Sequence, residues 1–176
     1  GLESLDESKR DKVWRKSVPF AHLSVANACR GLGRREEALE HYKTAKELYV
    51  ACVDDKVPFF IPDAVLCFTA RIELFAPCEK PAALAEMKEL AAFIRRTEDE
   101  GVLDNNDCRL CVFEVEMNAY QTMGMPEKAA ETVREALRFV RERLSDEERA
   151  GEQFARYISA FKNAEAALCP PAAAGA

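Results

Sequence analysis

The chain has 176 residues, enough for one domain with a real core. Its hydrophobic share of 48% and charged share of 32% fit an ordinary globular protein, and a net charge of −6 argues against a general grip on nucleic-acid phosphates. No apolar run reaches the length of a membrane span, so neither nucleic acid nor membrane is expected as a partner.

Ser4-Leu5-Asp6-Glu7 has the form of a capping box and predicts a helix from about Leu5, with Val13 and Trp14 as its main apolar residues. Pro19 either kinks this helix or starts a new one. Leu23, Val25, Ala26 and Cys29 recur at helical spacing up to Arg30, and Gly31 and Gly33 stop the run. A second helix is predicted over 36–53, with Ala38, Leu39, Tyr42, Ala45, Tyr49 and Cys52 on one face. The connector 54–62 carries Val57, Phe59, Phe60 and Ile61, so it is expected to pack down onto the protein.

The next helix, 63–75, is apolar nearly all round and is expected to be buried on every side. Pro77 and Pro81 bracket a turn, and Leu84, Met87, Leu90, Ala91 and Ile94 mark a helix ending near Arg96. Thr97 to Asp107 reads as an acidic solvated loop, docking of a basic partner being the alternative, and Asp107 as the N-cap of a helix over 108–123. Gly124 ends that helix, and Pro126 opens one that runs to about Leu144. Ser145 and Glu148 form a second capping box. Phe154, Tyr157, Ile158, Phe161 and Leu168 then give the last helix an apolar face, and 169–176 reads as a flexible tail. The expectation is all-α, with seven helices, or eight if the first is separate.

One piece of the chain is written twice. Asn27, Ala28, Gly33, Glu36, Ala38, Tyr42 and Ala45 are matched by Asn118, Ala119, Gly124, Glu127, Ala129, Val133 and Ala136, each 91 residues later. This pattern resembles the tetratricopeptide repeat, a helix–turn–helix unit of about 34 residues. Ala26 fits the family's small residue in the first helix, where the second copy has Met117. The large residue that follows is Cys29 or Tyr120, the turn glycine Gly33 or Gly124, and the small residue opening the second helix Ala38 or Ala129.

The resemblance implies a right-handed α-α superhelix of about three units, 19–53, 63–96 and 108–144, closed by a capping helix over 146–168, all in a single domain of residues 1–168. The middle unit lacks the turn glycine. The resemblance also implies a protein–protein interaction scaffold, not an enzyme, with no cofactor. A peptide or helix of a partner would lie in a groove lined by Leu23, Ser24, Asn27 and Arg30 of the first unit, Phe68, Thr69, Ile72 and Phe75 of the middle unit, and Glu114, Asn118 and Gln121 of the third. The alternative is that Phe68, Ile72 and Phe75 are core and that the asparagines bond to neighbouring helices. Some family members clamp a chaperone's C-terminal carboxylate, but the expected lysine is Leu23 here. A regulatory domain of a larger enzyme or transcription regulator, or a self-association module forming a homo-oligomer, are the competing functions.

Seven cysteines at irregular spacing do not make a disulfide framework, so a reducing compartment, cytoplasmic or nuclear, is expected. Cys108-Arg109-Leu110-Cys111 has redox or zinc spacing, but no second such pair accompanies it and neither His22 nor His41 is near it in sequence, so two thiols on a helix face are expected. Carboxylates such as Glu36 and Glu37 stand in first helical turns, where they complement the helix dipole. No secretory leader is read at the N-terminus, and a first residue other than Met suggests a piece of a longer chain.

Overall fold

The computed structural model describes residues 7–54, 58–101 and 106–168, and these contain eight α-helices, a short 3₁₀ turn and no strand. Ser4 with its capping box, the side chains of Val13 and Trp14, Val57, Asp104, Cys169 and the tail lie outside the described residues. The chain divides into two compact units, Gly1–Leu74 and Phe75–Ala176. The boundary runs through the expected middle unit 63–96, whose two helices fall on opposite sides of it.

In the first unit, α1 (Glu7–Gly31) continues through Pro19 as one helix. Pro19 therefore does not begin a new helix. It lacks the N–H of an interior helical bond, a loss that packing against α2 (Arg35–Asp54) offsets. Gly33 reverses the chain at φ +72°. Its N–H bonds to Arg30 O at 3.1 Å and the Arg34 N–H bonds to Cys29 O at 2.9 Å, which satisfies carbonyls left over at the end of α1. Ala26, Ala38 and Ala45 are fully buried, and side chains this small let α1 and α2 approach closely.

Pro58–Phe60 forms the 3₁₀ turn. Phe60 packs on Tyr49 with ring centroids 5.5 Å apart, as expected of an apolar connector, whereas Phe59 stays 76% exposed. Helix α3 (Ile61–Phe75) is stitched to the hairpin by polar ties. The Arg71 guanidinium donates to Leu39 O at 2.7 Å, and Nε and Nη2 of Arg35 both donate to Leu74 O at 3.1 Å, at the carbonyl end of the helix. The Lys46 ammonium lies 4.6 Å from the centre of the Phe68 ring. The expected burial on every side fails at Leu66, which is 47% exposed, and at the half-buried Leu74 and Phe75.

In the second unit, α4 (Lys80–Asp99) carries Pro81 in its own first turn, where a missing N–H costs nothing, so Pro81 belongs to the helix and not to the turn before it. The helix also runs past Arg96. Thr97 is 1% exposed and its hydroxyl donates to Ile94 O at 2.8 Å, so Thr97, Glu98 and Asp99 are helical and the acidic loop is shorter than expected. Helix α5 (Asn106–Thr122) includes Asp107 in its first turn, where its charge favours the helix dipole; Asp107 is not the N-cap. Gly124, at φ +70°, turns the chain into α6 (Pro126–Arg143). The short α7 (Asp146–Ala150) has both bonds of the Ser145/Glu148 capping box, at 3.2 and 2.8 Å. Extended backbone at Gly151 then separates α8 (Glu152–Leu168), so the expected single capping helix is two helices. Tyr157 and Phe161 of α8 close the core built by Leu110, Phe113, Val133 and Ala136 of α5 and α6.

Candidate functional site

The two glycine turns share the bonds that close their first helices, and differ where Arg35 N–H bonds to Gly33 O at 3.0 Å and the matching Pro126 has no N–H. Gly124 N–H to Gln121 O (3.0 Å), Met125 N–H to Tyr120 O (2.8 Å) and Met123 N–H to Ala119 O (2.9 Å) repeat, 91 residues on, the bonds of Gly33, Arg34 and Leu32. The two hairpins α1–α2 and α5–α6 can therefore be compared position by position.

In the first hairpin, Asn27 and Arg30 come together as expected, within a wider network. Asn27 Oδ1 accepts from the Tyr42 hydroxyl at 2.6 Å. Arg30 forms an ion pair with Glu73 of α3 at 2.6 Å and also interacts with the Tyr42 hydroxyl. Tyr42 is 1% exposed, and burial pushes its hydroxyl above the ordinary value, so it stays a donor. Asn27 thus bonds to the neighbouring helix, which was the alternative to a groove role. Leu23, Phe68, Thr69 and Ile72 are buried, and the Thr69 hydroxyl is turned onto Leu66 O at 3.0 Å. These four are buried packing residues in this structure, as the alternative reading had it for Phe68 and Ile72. Ser24 is exposed and its hydroxyl bonds back to Phe20 O at 2.8 Å.

In the second hairpin, Glu114, Asn118 and Gln121 share one face of α5. Asn118 and Gln121 are exposed, and Glu114 faces Arg156 of α8 at 3.5 Å. Burial pushes the Cys108 thiol up to about 11, which leaves it a poor nucleophile and agrees with a thiol on a helix face. Among the described residues no three His, Cys, Asp or Glu side chains converge on a possible metal position.

Two features escaped the sequence. The first is a cleft of about 620 Å³ within the second unit, lined by Glu98, Arg109, Phe113, Glu135, Arg138 and Phe139 among others. Arg109 pairs with Glu98 at 3.3 Å and stacks over the Phe113 ring at 5.5 Å, while Phe139 meets Phe113 at 5.8 Å. Glu116 stands in the adjoining recess, and burial pushes its carboxyl up to about 7, with Arg109 opposing the shift and Glu135 adding to it. Reading 97–107 as loop hid this site, since it put Glu98 on the wrong kind of element. The second feature is a contact between the two histidines, His22 Nδ1 to His41 Nδ1 at 3.0 Å, across the first hairpin. Their positions on the arms of one predicted hairpin were the available signal.

No protein-family model, no curated protein and no solved structure matches the chain. No helix among the described residues is long and apolar enough to cross a membrane.

Proposed function

We propose that the chain is a protein-interaction scaffold of the tetratricopeptide kind, which presents a helical face to a peptide or helix of a partner. The observation that supports this reading is the pair of hairpins whose turns repeat three helix-end bonds at the spacing of the written-twice motif. Small buried residues hold each hairpin closed (Ala38 and Ala45 in one, Ala129 and Ala136 in the other), while Asn27 and Arg30 of α1 and Asn118 and Gln121 of α5 are exposed. Stacked helical units of this kind use such faces for recognition. On this reading Asn118 and Gln121 are the contact residues, because an exposed amide can both donate to and accept from a partner's backbone. Buried thiols at Cys29, Cys52 and Cys67 accord with a reducing compartment, cytoplasmic or nuclear.

The test is cross-linked affinity capture from a native extract by the whole chain, set against an Asn118→Ala/Gln121→Ala variant of equal helicity. Loss of a defined set of partners supports the assignment. An identical set from both proteins overturns it.

A further inference from the structure

We propose that His22 and His41 form a two-histidine site for a transition-metal dication that favours right-angled ligation, Cu(II) or Ni(II), with water in the remaining positions. The two rings come from α1 and α2, and their Nδ1 atoms are 3.0 Å apart with ring centroids at 5.2 Å and planes tilted by 39°. At this separation one ring can donate a hydrogen bond to the other, and either can be the donor. A metal ion that displaces this hydrogen bond sits off the Nδ1–Nδ1 line, bound to both nitrogens.

The spacing selects the ion. With metal–nitrogen bonds of about 2.0–2.1 Å, two imidazoles at a right angle stand about 2.9 Å apart, whereas tetrahedral ligation needs about 3.3 Å. The observed distance fits the right-angled arrangement once each ring turns its lone pair off the Nδ1–Nδ1 line, and zinc would require the helices to part slightly. Both side chains are half-buried, so the ion has access from solvent while the hairpin holds the ligands in place. Glu37, one turn from His41, is held by Arg34 at 2.6 Å, which leaves water to complete the coordination.

The second hairpin shows that the fold does not need these histidines. The position matching His22 is Phe113 and that matching His41 is Thr132, both buried in an equivalent hairpin. A packing role at these places is met by a phenyl ring and a threonine. Two imidazoles with facing nitrogens supply something those residues lack, which is a pair of convergent electron donors.

The same comparison supplies the test. His22→Phe and His41→Thr install residues that this chain already accommodates at the matching positions. Nickel(II) sulfate is titrated calorimetrically at pH 7.5 into the whole chain carrying Cys78→Ser, which removes the thiol exposed among the described residues, and Cys169→Ser. The expected result is one equivalent bound with Kd in about the micromolar range and a rise in Tm, both weakened at least about tenfold at pH 5.5, where protons compete for the imidazoles. Either histidine substitution lowers affinity at least about tenfold and removes the Tm rise. Should these variants lose helicity, His22→Gln and His41→Gln serve in their place. Unchanged affinity in the substituted proteins, or no binding below about 1 mM (roughly −4 kcal/mol), overturns the proposal.

Discussion

The Tyr42 hydroxyl donates to Asn27 Oδ1 at 2.6 Å, and the residue matching Tyr42 in the second hairpin is Val133, which has no hydroxyl to give. Two asparagines that look equivalent in the sequence therefore stand in different chemistry. Both are exposed, but Asn27 accepts a bond from Tyr42 of its own hairpin, while the position facing Asn118 is Val133. Asn27→Ala is expected to lower unfolding free energy by about 1–1.5 kcal/mol, and Asn118→Ala by less than about 0.5 kcal/mol. Urea unfolding of the two variants checks this, and equal losses would remove the distinction.

Gly33 and Gly124 both have φ near +70°, and a Cβ at either would meet nothing within 4 Å. The cost of Gly33→Ala and Gly124→Ala is thus purely a backbone cost, about 1 kcal/mol each and nearly equal. Gly31 has equal space but ends α1 in helical conformation, so Gly31→Ala should be neutral or stabilising by up to about 1 kcal/mol. Thermal unfolding of the three variants gives the signs directly.

Glu116 carries a proton up to about pH 7 in the folded protein, against an ordinary value of 4.5. The folded state then binds more protons than the unfolded chain across that interval. Its contribution is complete below about pH 4.5 and is lost as pH rises through about 7, so stability falls over this window. Glu116→Gln, neutral throughout, should flatten this slope and gain on the order of 1–2 kcal/mol at pH 8. Denaturant midpoints at pH 5 and pH 8 test the sign, and an unchanged slope in the variant would be decisive against it.

Phe161 is fully buried where α8 meets α5 and α6, and Leu168 is only partly buried at the end of the same helix. Phe161→Ala should cost about 3–5 kcal/mol and Leu168→Ala clearly less. Comparable losses would mean that α8 covers the core along its whole length rather than chiefly through its middle.

The helices and their turns were legible in the sequence wherever a local signal sufficed. Gly33, Gly124, Pro126 and the Ser145/Glu148 box act within a few residues, and each stands where it was expected. Boundaries lacking such a signal were misplaced. Residues 97–99 looked like loop because Glu98 and Asp99 are acidic, but Thr97 is buried and α4 runs through Asp99. The site was less legible. Leu23, Phe68, Thr69 and Ile72 were placed by matching repeat positions, and a repeat position does not by itself tell a groove from a core.

By itself the sequence determined an all-helical chain and the places where the chain reverses, because helix periodicity, capping and positive-φ glycine are local physics. Tertiary structure alone decided which polar groups meet. Arg109 reaches Glu98, Tyr42 reaches Asn27 and His22 reaches His41 only once helices are packed in register, since a shift of one turn (about 5.4 Å) would part every one of these pairs.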